Sequence, residues 1–105
     1  MLKSDVEAFL ATRRVMVTED GDDLLAREDA LNLLTILLQS GGPLPAYVDV
    51  YSRAADGGLR FEEDLTMRDL HDLGLGREEY WTNILSYLSA YSSEYLVAPN
   101  DFSHR

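Results

Sequence analysis

Apolar positions near the start of the chain recur at the spacing of an α-helix. They follow a Ser-x-x-Glu capping box at residues 4–7, which predicts a first helix over about residues 5–13. The β-favouring run at residues 15–17 then predicts an extended connector or one edge strand. The chain is therefore expected to begin with a short helix and at most one short extended segment.

The most apolar stretch of the sequence belongs to a predicted second helix. The acidic residues 19–23 predict a turn and a helix entry, because carboxylates are favourable near a helix N-terminus. The helix is expected over about residues 24–39, and residues 31–38 are apolar almost all round, as is typical of a buried central helix. The Gly-Gly-Pro stretch at residues 41–43 predicts its end.

Three more helices are predicted in the second half of the chain. One begins at Pro45 and ends at the glycine pair 57–58, and residues 59–65 follow as a loop or a short turn. A short helix is predicted over about residues 66–73 and a long last helix over about residues 77–95. The whole pattern predicts an all-α fold, a compact bundle of about five helices.

The length of 105 residues is enough for one domain only. We expect a single helical domain over residues 1–98, followed by a polar tail over residues 99–105. Within the domain, residues 1–27 form the N-terminal helix and the acidic turn, and residues 28–95 form the core of the bundle. Whether the first 23 residues pack on this core stays open.

Part of this order resembles a known family. Residues 28–91 carry a Leu-x-x-Tyr segment, a glycine-marked turn and a Leu-Thr-x-x-Asp-Leu-x-x-Leu-Gly run before a long final helix. In this order they resemble a sterile alpha motif (SAM) domain, a bundle of five short helices; an unrelated orthogonal bundle is the alternative. The matching stretches are Leu44-Pro45-Ala46-Tyr47, Asp56-Gly57-Gly58 and residues 65–75.

The SAM resemblance implies an adaptor that self-associates or joins another helical module. In that family the start of the final helix on one subunit often meets an acidic surface on another. Carried onto this chain, Gly76 and Arg77 would contact Asp64, Asp69 and Asp72 of a second copy.

The negative net charge indicates which class of partner to expect. Nineteen acidic residues face nine basic ones, for a net charge of −10. This disfavours direct binding to nucleic acid and to anionic membranes and favours a basic protein partner, although acidity can also serve solubility alone. The chain has no Cys, no secretory signal and no apolar run long enough to span a bilayer, so we expect a cytoplasmic protein.

Catalytic and metal-binding motifs are absent from the sequence. His71 and His104 lie far apart and outside any zinc-binding spacing. The acidic residues 20–23 do not continue as a calcium loop, because Leu24 and Ala26 stand where oxygen ligands should fall. We therefore expect no enzyme activity, no cofactor and no metal.

Two groups of residues are candidates for partner binding. One is an acidic face and the other is a set of helically spaced tyrosines, which are frequent interface residues. The tyrosines could instead cap the core. The acidic residues are Asp56, Glu62, Glu63, Asp64, Asp69, Asp72, Glu78 and Glu79, and the tyrosines are Tyr80, Tyr87, Tyr91 and Tyr95. They predict a non-catalytic inhibitor or immunity-type binder that occludes a basic surface, as anti-defence proteins and toxin antidotes do, with the SAM-like adaptor as the alternative.

Overall fold

The chain folds into one antiparallel β-sheet with helices packed on one of its faces. The computed structural model describes residues 3–67 and 76–102. In chain order the elements are α1 (Lys3–Arg13), β1 (Met16–Val17), β2 (Asp23–Ala26), α2 (Arg27–Ser40), β3 (Tyr47–Arg53), β4 (Leu59–Asp64), α3 (Arg77–Ala90) and β5 (Leu96–Asn100). A 3₁₀ turn over Leu65–Met67 follows β4.

The last strand of the described chain is the centre of the sheet. The strand order is β1-β2-β5-β3-β4, and all neighbouring strands are antiparallel. Val97 of β5 lies opposite Leu25 of β2 on one side and opposite Val50 of β3 on the other. Pro99 has no N–H to donate, and it is tolerated in this central strand because the β2 ladder ends at Val97.

All three helices pack their apolar faces against one face of the sheet. The helix α2 contributes Ala30, Leu33, Leu34 and Leu37, which lie on one helical face and are fully buried. The buried residues of this main core are Val6, Leu10, Leu25, Ala30, Leu33, Leu34, Leu37, Leu44, Val48, Val50, Leu65, Trp81, Ile84, Leu88 and Val97.

A second, smaller cluster lies on the other face of the sheet, which no helix of the described residues covers. Successive side chains of a strand point to opposite faces, so each inner strand contributes to both clusters. The buried members are Leu24, Leu96 and Ala98, and the partly buried residues packed against them are Met16, Tyr51 and Leu59. We call this surface the open face.

The predicted all-α bundle of about five helices is wrong, because a five-stranded sheet forms the centre of the protein. The first helix and the end of the second agree with the prediction: α1 covers Lys3–Arg13, and Gly41 caps α2 with a φ of 71°. The helix α2 begins later than predicted, at Arg27. Leu24 and Leu25, which precede it, belong to strand β2 and pair with β1 and β5.

The helix predicted to begin at Pro45 is strand β3 instead. Its sequence fits a helical stripe, but it also alternates every second residue between faces of a sheet. Val48 and Val50 are fully buried in the main core, and two β-branched residues at this spacing favour a strand. Pairing with β4 and β5 selects the extended form, which no local pattern could reveal.

The glycine pair predicted to end a helix is the turn of the β3–β4 hairpin. Gly57 has a φ of 85°, and the Gly58 N–H donates a hydrogen bond of 2.9 Å to Oδ1 of Asp56. Residues 59–64, predicted as a loop, form the edge strand β4. Their charges obscure the strand pattern, although charged residues are typical of edge strands because they discourage edge-to-edge association.

The C-terminal part also differs from the prediction. The last helix ends at Ala90 rather than near residue 95, and residues 96–100 form β5. Pro99 and Asn100, assigned to a polar tail, therefore lie in the central strand. A proline at this position argues against a central strand when the sequence is considered alone.

The bundle of five short helices that the SAM resemblance implies is likewise not the fold of residues 28–91, because β3 and β4 lie in this stretch. Of the run at residues 65–75 on which the resemblance depends, the first three form the 3₁₀ turn. The rest of that run, including most of the predicted fourth helix, lies outside the described residues.

Candidate functional site

The open face combines exposed aromatic side chains with carboxylates. Strand β3 presents Tyr47, Asp49 and Tyr51 on this face, because the residues between them point into the main core. Phe61 of β4 lies opposite Tyr51, and the two rings pack edge to face with centroids 5.6 Å apart. Two aromatic residues and an acid thus share one side of a single strand.

Large apolar side chains of the described residues are exposed mainly on the sheet. Phe61 is 54% exposed and Tyr47 is 44% exposed, and Val15 and Val17 are similarly exposed at the β1 edge. Ile36, on the helix α2, is 43% exposed. Of these residues, Tyr47 and Phe61 lie on the open face, whereas Val15 and Val17 flank Met16 and point away from it. Exposed apolar groups that lie together on one surface are typical of protein-binding sites, whereas a single one is common on any surface.

The β1–β2 turn brings a second carboxylate to the open face. The Thr18 N–H donates to the carbonyl oxygen of Asp22 at 2.9 Å, the Asp22 N–H donates to Oγ1 of Thr18 at 3.0 Å, and Gly21 adopts a φ of 89°. The Asp22 charge raises the pKa of both Asp49 and Tyr51, so it acts close to them. We define the open-face patch as Asp22, Tyr47, Asp49, Tyr51 and Phe61.

Both carboxyl groups of the patch lie in surroundings that disfavour their charge. Partial burial raises the pKa of Asp49; the hydrogen bond of 3.1 Å from Nδ2 of Asn100 opposes this rise, and the charges of Asp64 and Asp22 add to it. Partial burial also raises the pKa of Asp22, and the neighbouring acids of the turn raise it further. Negative charge on these two carboxyl groups is therefore disfavoured by their surroundings.

No cation of the described residues neutralises these two acids. The ion pairs in this part of the chain are Arg13–Asp29, Arg14–Asp23 and Arg60–Glu62. Burial, followed by the charges of Asp49, Asp22 and Asp20, raises the pKa of Tyr51, so its hydroxyl stays protonated at neutral pH. Chemically, the patch offers two carboxylates and aromatic rings to a cation supplied by another molecule.

Four of the six described acids of the predicted acidic face accept hydrogen bonds within the chain. Asp56 accepts the hairpin-turn bond described above, and Glu62 accepts a hydrogen bond of 2.5 Å from Oγ of Ser52. Glu63 accepts one from the hydroxyl of Tyr91. Asp64 accepts bonds from the backbone and side chain of Thr66 at 2.9 and 2.5 Å. These four carboxylates support the β3–β4 hairpin and the turn that follows it.

The remaining predicted site residues lie at or before the start of α3. Glu78 and Glu79 are exposed in its first turn, where carboxylates complement the helix dipole. Gly76 precedes the helix, and Nη2 of Arg77 donates a hydrogen bond of 3.1 Å to the carbonyl oxygen of Gly42. Asp69 and Asp72 lie outside the described residues.

The four predicted tyrosines are partly buried against the main core. The Tyr80 hydroxyl donates to the carbonyl oxygen of Thr66 at 3.3 Å, and burial followed by the charge of Asp64 raises its pKa. The rings of Tyr91 and Tyr95 pack edge to face with centroids 4.9 Å apart. These contacts fit the alternative weighed for the tyrosines, namely that they cap the core.

Sequence reasoning missed most of the open-face patch. The signal was the Tyr-x-Asp-x-Tyr alternation at residues 47–51, in which each second residue shares one face of a strand. The prediction of a helix from Pro45 to the glycine pair 57–58 did not use this alternation. Asp22 was assigned to an acidic turn at a helix entry, which was also weighed as a calcium loop, and its place beside these tyrosines was not predicted.

The described residues contain no group of three His, Asp or Glu side chains that could hold a metal ion. His71 and His104 lie outside this part of the chain. The absence of enzyme activity and of a cofactor stays a prediction. No helix in the described ranges is both long and apolar enough to cross a membrane.

Comparison with known proteins assigns no family to this α/β chain. No protein-family model, no curated protein and no solved structure matches it. The resemblance to SAM domains is therefore neither supported nor excluded by these comparisons.

Proposed function

We propose that this protein is a non-catalytic binding protein whose open face covers a basic surface of a partner protein. The observation that carries this proposal is the open-face patch, where exposed rings adjoin carboxylates that no described cation neutralises. Opposite charge would speed the encounter, and the aromatic side chains would supply buried contact area. Each feature is common alone, and their combination on one sheet face is typical of an interface.

The overall charge supports the same class of partner. A net charge of −10 repels nucleic acid and anionic membranes and attracts a basic protein surface. Association of two copies through the open face is disfavoured, because it would bring Asp22 and Asp49 of one copy towards the same acids of the other. If the covered surface is the partner's functional site, the protein acts as an inhibitor or immunity-type protein.

The test uses the wild-type protein and variants as immobilised bait in an extract of the source organism. We expect a basic protein to be retained by the wild type and by Ile36→Ser, and to be lost with Asp49→Lys and with Phe61→Ser. Ile36 is the matched control, since it is an exposed apolar residue on α2 and not on the open face. The retained protein is then purified and titrated against the wild type by calorimetry.

High salt should weaken the purified complex by about tenfold, as is typical of an interface steered by charge. Addition of the wild type in equal amount should block the partner's activity if the inhibitor assignment holds. A partner that binds all four proteins equally, or whose affinity ignores salt, would contradict the proposed function.

A further inference from the structure

We propose that the central contact of the open-face patch is an arginine of the partner, whose guanidinium group stacks on the Tyr51–Phe61 ring pair and pairs with the Asp49 carboxylate. The inference rests on the proposed function and adds the chemistry of the contact to it. It predicts which basic residue the partner must offer, and it can be tested before the partner is known.

The ring pair supplies a platform for a flat cation. Tyr51 and Phe61 meet at an interplanar angle of 72°, so the edge of one ring covers one face of the other and the two rings are not stacked face to face. Phe61 is the more exposed of the two, at 54%. The face of an aromatic ring carries partial negative charge, and a guanidinium group packs on it more readily than an ammonium group does.

The Asp49 carboxylate lies where it can accept a hydrogen bond from the same guanidinium group. It lies two residues from Tyr51 on one side of β3, about 7 Å away along the strand. One oxygen, Oδ2, accepts the hydrogen bond from Asn100, and Oδ1 accepts none within the described residues. A guanidinium group has five donors in one plane, so it can reach Oδ1 while its face covers a ring.

The described residues contain an example of the same three-part arrangement. The guanidinium carbon of Arg13 lies 6.0 Å from the centre of the Phe9 ring, and Nη1 of the same residue lies 3.8 Å from Oδ1 of Asp29. On helices α1 and α2, a ring, a guanidinium group and a carboxylate of the same chain thus lie together. The open-face patch presents the ring and the carboxylate without the guanidinium.

The experiment titrates the intact protein with two capped peptides, one with three arginines separated by glycines and one with lysines in their place. Both peptides have the same charge, and ionic strength is held constant. Binding is followed by NMR through the ring signals of Tyr51 and Phe61. We expect saturable shifts at both rings and about threefold tighter binding of the arginine peptide.

Two variants separate the parts of the contact. Phe61→Leu keeps an apolar side chain but removes one ring of the pair, so it should reduce the preference for arginine. Asp49→Asn should weaken the binding of both peptides. Ile36→Leu should change neither. The dispersion of the backbone amide signals verifies that each variant is folded.

Equal binding of the two peptides to the wild type at these rings would overturn the arginine inference and leave the proposed function standing. Shifts confined to another acidic surface would overturn the inference as well. Failure of the proposed function is recognised separately, by a purified partner whose binding does not depend on the open face. An undiminished arginine preference in Phe61→Leu would show that the Phe61 ring plays no part and would refute stacking on the ring pair.

Discussion

Replacing Asp49 by asparagine should make the protein more stable at neutral pH. Partial burial, together with the charges of Asp64 and Asp22, raises the pKa of Asp49 in the folded state, so folding disfavours its charged form. Asparagine has nearly the same shape, carries no charge and keeps an oxygen that can accept the hydrogen bond from Asn100. The variant therefore removes the repulsion and keeps the local bond.

The expected gain is about 0.5 kcal/mol in the free energy of unfolding. Asp49 is only partly buried, so solvent screens its repulsion, and the gain lies near the upper limit of about 0.5 kcal/mol for substitutions at a surface. For a domain of this length such a gain corresponds to a rise in Tm of about 2–4 °C.

The sign of the pH dependence follows from the direction of the pKa shift. A folded-state pKa above the unfolded value means that the folded protein binds the proton more tightly. The corresponding stability is present below the unfolded pKa of about 3.9 and is lost as pH rises through the folded value. The advantage of Asp49→Asn over the wild type should therefore be full at neutral pH and should shrink to zero as the solution is acidified towards about pH 4.

Thermal unfolding followed by circular dichroism over this pH range measures the effect. Glu7→Gln is the matched control, because Glu7 is exposed on α1 and its substitution changes the net charge by the same amount. A loss of stability in Asp49→Asn at neutral pH, or a gain that does not depend on pH, would refute the reasoning. An equal gain in Glu7→Gln would show that net charge alone is responsible.

Three further predictions test other parts of the structure. Leu34→Ala should destabilise the protein by about 3 kcal/mol, because the side chain is fully buried, whereas Ile36→Ala on the exposed side of the same helix should cost less than about 1 kcal/mol; urea unfolding distinguishes the two. A double-mutant cycle of Tyr91→Phe and Glu63→Gln should give a coupling of about 1 kcal/mol, and a coupling near zero would mean that this bond does not hold β4 to the end of α3. Gly57→Ala should cost about 1 kcal/mol because of its positive φ, and an unchanged Tm would contradict this.

The sequence predicts the parts of the fold that are determined locally. The capping box and the apolar spacing indicate α1, and the glycine pair after α2 correctly marks its end, where the Gly41 N–H donates to the carbonyl oxygen of Leu37. The strand β1 also lies in the run that was predicted to be extended. These features depend on interactions within a few residues, which is why a single sequence reveals them.

The sheet was missed because its strands are specified by distant partners. Residues 47–51 satisfy a helical stripe and a two-residue alternation at once, and the choice is made by β5, almost fifty residues later in the chain. The strand β5 is itself disguised by Pro99. Since β5 is paired on both sides, misjudging it removes the centre of the sheet from the prediction and leaves the neighbouring segments to be interpreted as helices.

The same error hid the candidate site. A site made of residues from one strand, its neighbour and a turn can be recognised only when the sheet is known. Nothing in the sequence alone therefore indicates that Asp49 and Phe61 lie on the same surface. The acids predicted as partner-binding residues, such as Asp64, were chosen because acidic residues are concentrated in that part of the sequence. The structure gives four of those acids a hydrogen bond within the chain, and a carboxylate that already supports a turn, as Asp64 does, is a weaker candidate for partner binding.

The open-face patch combines exposed rings with carboxylates that no cation of the described residues neutralises. Exposed rings reduce solubility, and burial and neighbouring charges disfavour the ionised forms of Asp22 and Asp49, so a gain on binding would explain both features under the proposed function. This ties the stability prediction to the function. If Asp49→Asn stabilises the free protein and weakens partner binding, one carboxylate explains both results. If it stabilises the protein and leaves binding intact, the contact surface must be sought away from Asp49, beginning with the exposed β1 edge at Val15 and Val17.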